Sequence, residues 1–251
     1  MSREIWPDGY GRRVLAEVDS TNAEAARLLS DLAGPTWIMA TRQTAARGRR
    51  GRAWAMPEGN FAASLVLRVD ERAEQVALRS FVTSLALFDA LVSVTGRVES
   101  FALKWPNDVL LNGGKLAGIL LESAGIDAGT GHVIIGIGVN LLAAPGAGDV
   151  EDGALRPVSV LSETGLDVGQ EAFLDHLAAA YATWEHQFVT FGFAPLREAW
   201  LARAARLGEV ITARTGKTEI TGTFETVDER GQLVLKTRQG RQAIPAADVF
   251  F

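Results

Sequence analysis

The chain has 251 residues, 47% of them hydrophobic and 22% charged, with a formal net charge of −5, a composition suited to one sizeable folded core with a small appendage. The acidic balance argues against a broad nucleic-acid-binding or membrane-binding face, and the lack of any cysteine excludes disulfides, Cys-ligated zinc and thiol chemistry. The opening MSREIWPDGYGRR has no apolar signal-peptide core and no uninterrupted apolar run reaches membrane-spanning length, so the expectation is a cytoplasmic protein.

In chain order, Arg13 to Val18 reads as a strand and is followed by Asp19-Ser20-Thr21-Asn22. Thr21 and Glu24 have capping-box spacing, and Ala25, Leu28, Leu29 and Leu32 share one helical face, which Gly34-Pro35 ends. Thr36 to Thr41 is a strand leading into the arginine-rich stretch Arg42 to Trp54. Phe61 to Val69 alternates apolar residues and is a further strand. Glu74 to about Thr95 is a long helix with Leu78, Phe81, Val82, Leu85, Phe88 and Val92 on its buried stripe. Phe101 to Lys104 is a short strand stopped by Trp105-Pro106. Asp108 to Leu111, Asn112-Gly113-Gly114 and Lys115 to Glu122 form a hairpin pattern. Gly125 to Gly131 is a loop, His132 to Val139 a buried strand, and Leu142 to Pro157 a mobile Ala/Gly/Pro-rich segment. Gln170 to Phe191 and Pro195 to about Arg206 are helical. The period then changes: Gly208 to Phe251 is a set of short strands, a barrel-like unit too small to stand alone. The expected organisation is a main domain over residues 1–206 and a β domain over 207–251.

Four places carry chemistry. The arginine stretch has Arg42, Arg47, Arg49, Arg50 and Arg52, no acid, and interleaved Gly48 and Gly51. Guanidinium forks and glycine backbone N–H groups suit a polyphosphate. With no internal acid to pair with, the loop is expected to be mobile until an anion draws it closed. Ser20-Thr21-Asn22 begins a helix, where N–H groups cap and bind polar atoms. Lys104, Asp108 and Lys115 sit on one hairpin and suit anion neutralisation, or equally a surface salt bridge. Gly136-Ile137-Gly138-Val139-Asn140 lacks the third glycine and the helix of a dinucleotide fingerprint, and Gly114-Lys115 is not at P-loop spacing. His132, His176 and His186 are isolated, and no protein-built metal site is apparent.

These residues resemble biotin–protein ligase: the arginine loop with Trp54, KWPND (Lys104–Asp108), KLAGIL (Lys115–Leu120) and GIGVN (Gly136–Asn140) occur in that family's order. The resemblance covers roughly residues 10 to 250. It implies an α+β fold, a mixed sheet with packed helices like class II aminoacyl-tRNA synthetases, plus an SH3-like C-terminal β-barrel. It also implies the monofunctional type, without the DNA-binding domain that some members carry. By resemblance Ser20, Thr21 and Asn22 line the biotin pocket, Gln43 contacts biotin, and Arg47, Gly48, Arg49 and Arg52 belong to the loop that folds over biotin and its adenylate. Trp54 covers the ligand, Lys115 lies beside the carboxylate and α-phosphate, and Gly118 and Gly138 belong to the ligand-binding motifs. Asn107, Asp108 and Asn140 match nucleotide-side, magnesium-environment or acceptor-lysine positions. Ala46 departs from the glycine that usually precedes the first loop arginine.

The implied activity is ATP-dependent activation of biotin as biotinyl-5′-AMP, with Mg²⁺ accompanying ATP, and transfer to a lysine of a biotin carboxyl carrier protein or carrier domain. Lys115 and Arg49 would supply positive charge to the first step, and Asp108 would help deprotonate or orient the acceptor lysine. Lipoate or octanoate ligation is the alternative on the same fold, and a nucleic-acid-binding module the alternative of another class. Specific DNA and membranes are not expected partners; a homodimer stays open.

Overall fold

The computed structural model describes residues 6–124, 131–146, 155–216 and 218–251. Seven strands build the main domain: β1 (Gly11–Val18), β2 (Thr36–Gln43), β3 (Phe61–Val69), β4 (Phe101–Lys104), β5 (Asp108–Leu111), β6 (Gly114–Ala124) and β7 (Gly131–Val139). They lie in the order β1-β2-β3-β7-β6-β5-β4. β1 and β2 are parallel and the other neighbours antiparallel, so the sheet is mixed. The parallel step needs a crossover, which carries α1 (Thr21–Arg27).

Both faces of the sheet are used, unequally. Trp37, Met39, Phe61, Ala63 and Leu65 point to one face, where they share a core with α3 (Arg79–Thr95) and α5 (Gln170–Phe191). Ile38, Val66 and Ile134 point to the other, against Ala25 of α1. That is why β3 is buried at Ala62, Ser64 and Val66 as well as at the alternate positions. α1 is only seven residues long, and the glycine-bearing ends of β6 and β7 on its side line a cleft instead.

The helix read over Glu74 to Thr95 is two: α2 (Ala73–Ala77) and α3, separated at Leu78. Phe81, Val82, Leu85 and Phe88 are buried as expected, while Val92 is half-buried. Residues 73–95 are apolar enough to cross a membrane by composition, which the sequence reading did not note, but 72% of that window is buried inside the protein. This composition is that of a core helix. The hairpin turn at Asn112 (φ 49°) and Gly113 (φ 77°) has both central residues left-handed, the type I′ geometry that matches strand twist. The sequence reading missed α4 (Val160–Thr164), which starts from a Ser159/Ser162 capping box, a serine standing where the usual signal has Glu or Gln. α6 runs over Phe193–Leu201, earlier than the Pro195 start expected. Residues 125–130 of the expected loop and 147–154 of the expected mobile segment lie outside the described residues.

The C-terminal strands are β8 (Val210–Thr215), β9 (Thr218–Val227), β10 (Leu233–Thr237), β11 (Gly240–Ile244) and β12 (Asp248–Phe250). They form a separate five-stranded antiparallel sheet in the order β11-β10-β9-β8-β12. Ile211, Phe224, Val227 and Leu233 join the same apolar cluster as the main domain. At the junction the Trp105 indole donates to the Gly231 carbonyl at 3.0 Å. A Cβ on Gly231 would press on Leu78 and Phe81. A small sheet with little core of its own is thus completed by its neighbour.

Candidate active site

One cleft of about 820 Å³ contains every candidate site residue: Ser20, Thr21 and Asn22, Gln43, Arg47 to Arg50, Arg52, Trp54, Asn107, Asp108, Lys115, Gly118, Gly138 and Asn140 all line it. It has a neutral polar end and a cationic end.

The polar end is built at the start of α1. Ser20, Thr21 and Asn22 are buried, so their polar atoms need partners. The Thr21 backbone N–H and hydroxyl both donate to Gln43 Oε1, at 2.7 and 3.1 Å. The Asn22 amide donates to Glu122 at 2.6 Å, and the Ser64 hydroxyl donates to Asn22 Oδ1 at 2.5 Å. Because a carboxylate only accepts, Glu122 fixes which way the Asn22 carboxamide faces. The expected Thr21/Glu24 capping box is absent: Ser20 is the N-cap, Thr21 is engaged by Gln43, and Glu24 accepts from Arg27 at 2.8 Å. Gly136 lies under Asn22, where a Cβ would collide with the carboxamide. Ser64 and Glu122 were not singled out from sequence. Ser64 had a legible signal, a hydroxyl in an otherwise apolar strand.

The cationic end starts on the β4–β5–β6 hairpin. Asp108 is buried, with Lys115 Nζ 2.8 Å from one carboxylate oxygen and Lys104 Nζ 3.6 Å from the other. Burial works to raise its pKa, but Lys115, Lys104 and Arg49 outweigh burial and hold the carboxyl below its ordinary range. Lys104 is pushed below the usual lysine value, chiefly by burial. The backbone of Lys115 is gripped on its outer side: its N–H donates to Arg156 and its carbonyl accepts from Val158, at 2.9 and 3.0 Å. Asn140, also buried, braces the same segment, donating to the Val158 carbonyl at 3.0 Å and accepting from Asn60 at 3.3 Å. Asn107 accepts from Arg49 at 3.2 Å and donates to the Ile119 carbonyl at 2.5 Å.

The arginine loop is itself a small hairpin. Arg47 and Ala53 form an antiparallel bridge, Gly48 N–H donates to Arg52 O at 2.7 Å and Trp54 N–H to Ala46 O at 3.0 Å. Its tip turns at Arg50 (φ 57°) and Gly51 (φ 72°). The stretch has no acid of its own, as read from sequence, but one reaches it from outside: Asp248 of β12 lies 2.5 Å from Arg50, 3.3 Å from Arg52 and 3.9 Å from Arg49. Unopposed repulsion is therefore no reason for this loop to be mobile. Burial lowers the Arg49 pKa, although a guanidinium stays charged. Arg42 stands apart on β2, exposed and paired with Glu17 at 2.6 Å. Trp54, expected as a cover, is seated on the sheet itself: Cβ atoms on Gly118 and Gly138 would come 3.0 and 2.7 Å from its ring. Lys115 Nζ lies 5.7 Å from that ring's centroid, within cation–π range.

The fold and the cleft define an α+β ligand-binding domain whose site grades from hydrogen-bonding to anion-binding, closed at one side by a small β domain. Residues 12–140 match the Biotin/lipoate A/B protein ligase family, and residues 207–251 match the Biotin protein ligase C terminal domain. The chain is 59% identical over 238 residues to the biotin–[acetyl-CoA-carboxylase] ligase of Paracoccus denitrificans, across 95% of this chain and 99% of that one. It is 30% identical over 237 residues to the bifunctional ligase/repressor BirA of Bacillus subtilis, across 93% of this chain and 72% of that one. The biotin protein ligase from Aquifex aeolicus in complex with biotin and ATP superposes with a TM-score of 0.82 at 28% identity, across 95% and 97% of the two chains. The chain belongs to the biotin/lipoate A/B protein ligase family, in its biotin–protein ligase branch.

Proposed function

We infer that the chain is an ATP-dependent biotin ligase that forms biotinyl-5′-AMP and passes the biotinyl group to a lysine of a biotin carboxyl carrier protein or domain. The observation that carries this is the continuity of one cleft from a pre-oriented amide-and-hydroxyl end to a lysine-and-arginine end. Thr21, Asn22 and Gln43 suit a cyclic urea, which has both N–H donors and a carbonyl acceptor. Lys115, Arg47 and Arg49 suit the carboxylate and the phosphates. The C-terminal sheet is read as SH3-like on the same footing.

In the first step a biotin carboxylate oxygen attacks the α-phosphorus of ATP and pyrophosphate leaves. Two anions must meet, so fixed positive charge lowers the barrier. Lys115 is held at the meeting point by Asp108 from within and by residues 156–158 from outside. In the second step a neutral lysine amine attacks the acyl carbon, AMP leaves and the amine proton is lost. Asp108 is a poor base for that proton, because its carboxyl is held below the ordinary range and paired with two lysines. Its role is to orient. Among the described residues no group of three potential metal-ligating side chains occurs, and Asp108 is already paired with lysines. The residues do not fit a protein-built magnesium site, and magnesium enters with ATP as part of that substrate.

The test is incubation of the protein with ATP, a purified carrier domain and an equimolar mixture of biotin, lipoate and octanoate, followed by mass spectrometry. A single biotinyl addition, lost when the carrier lysine is changed to Arg, is the expected result. Addition of lipoyl or octanoyl groups in place of biotin would overturn the assignment.

A further inference from the structure

β12 contributes Asp248 to the cleft from the C-terminal sheet. Its position is fixed from behind: Asp248 is in register with Arg214 of β8, and the next residue, Val249, is buried. One carboxylate faces the guanidinium groups of Arg50, Arg52 and Arg49 at 2.5, 3.3 and 3.9 Å. The loop tip is thereby divided. Arg50 and Arg52 are drawn to the C-terminal sheet, while Arg49 donates to Asn107 beside Asp108 in the main domain.

We propose that Asp248 is a positioning residue for adenylation, anchoring Arg50 and Arg52 so that Arg49 and Arg47 are presented to the ligand anion. This rests on the biotin ligase reading. A loop shaped in advance binds ligand without first meeting the cost of its own ordering. When the anchor is removed, that cost falls on ground state and transition state alike, which raises KM and leaves kcat nearly unchanged.

The test compares Asp248→Asn, Asp248→Glu and Arg50→Gln, alone and with Asp248→Asn combined with Arg50→Gln. Two readouts are used: limited trypsin cleavage after the loop arginines without ligand, and biotin-dependent pyrophosphate–ATP exchange. Asp248→Asn should speed cleavage after Arg49 or Arg52 by about fivefold and raise KM for ATP by about fivefold, with kcat within about twofold. Asp248→Glu should restore both. The double variant should be no worse than Asp248→Asn alone, since Arg50→Gln removes a contact that Asp248→Asn has already removed. Arg50→Gln reports the same contact from the loop side if the C-terminal sheet does not tolerate Asp248→Asn, and a thermal melt identifies that case. Unchanged cleavage and KM in Asp248→Asn and in Arg50→Gln would overturn the proposal. So would a lower KM for ATP, which would make Asp248 a competing anion. Absence of exchange in the unaltered protein would instead count against the ligase reading, with the cleavage result still deciding the role of Asp248.

Discussion

The β4–β5–β6 hairpin and the arginine loop both bring cations to the cleft, and they do so in opposite ways. The hairpin compensates its charge from within. Asp108 sits between Lys104 and Lys115 on adjacent strands, in a register set by pairs such as Lys104 with Asp108 and Asp108 with Gly118. Burial makes that arrangement strong and costly to unbalance. The loop takes its acid from the other sheet, with Arg50 and Asp248 separated by 198 positions in the chain. Its ion pairs are more exposed and individually weaker. The difference separates two ways of holding cations in place: the hairpin fixes its lysines by local strand register, and the loop tip is held by an acid on the other sheet.

The contrast breaks hardest at Lys115. Lys115→Met should lower single-turnover adenylate formation by about 10²–10³-fold, while circular dichroism stays unchanged, because the side chain is a third exposed. Near-normal adenylation would transfer the role to Lys104. Asp108→Asn should come next, costing about 3 kcal/mol of stability by denaturant unfolding because Lys104 is left buried without its counter-charge. The sign with pH follows from the lowered Asp108 pKa. A carboxyl ionised more readily in the folded than the unfolded state stabilises the fold above the unfolded pKa, about 3.9, and loses that contribution as pH falls through the folded value. The gap between the unaltered protein and Asp108→Asn should therefore be full at neutral pH and close only in acid. A gap that widened in acid would contradict the ion-pair assignment.

At the polar end Gly136→Ala should weaken biotin binding about tenfold in titration calorimetry, about 1.4 kcal/mol, by displacing the Asn22 carboxamide. Unchanged affinity would place the urea elsewhere. The smallest effect belongs to Arg42→Ala, expected to change kcat/KM less than about twofold, since its pair with Glu17 is an exposed salt bridge. A large loss there would extend the functional wall onto β2.

What could be read from sequence follows the same division. The hairpin was legible because its determinants are local: an Asn-Gly turn and short flanking strands put Lys104, Asp108 and Lys115 together. Loop composition marked Arg47, Arg49 and Arg52, and GIGVN marked the glycine floor. Asp248 was not legible, since a lone aspartate in a short C-terminal strand carries no periodic or turn signal. The seat of Trp54 on Gly118 and Gly138 was equally hidden, because it depends on the pairing of β6 with β7. The break at Leu78 escaped because the apolar stripe runs through it, and Gly231 packs nearby only once the second sheet has docked.

The central claim is that this cleft activates the carboxylate of a ureido acid. Pyrophosphate–ATP exchange measured separately with biotin, lipoate and octanoate tests it most directly. Exchange should be supported by biotin and stay at background with the other two acids, which lack the N–H and carbonyl groups that Thr21, Asn22 and Gln43 are set to meet. Exchange with lipoate or octanoate and none with biotin would contradict it.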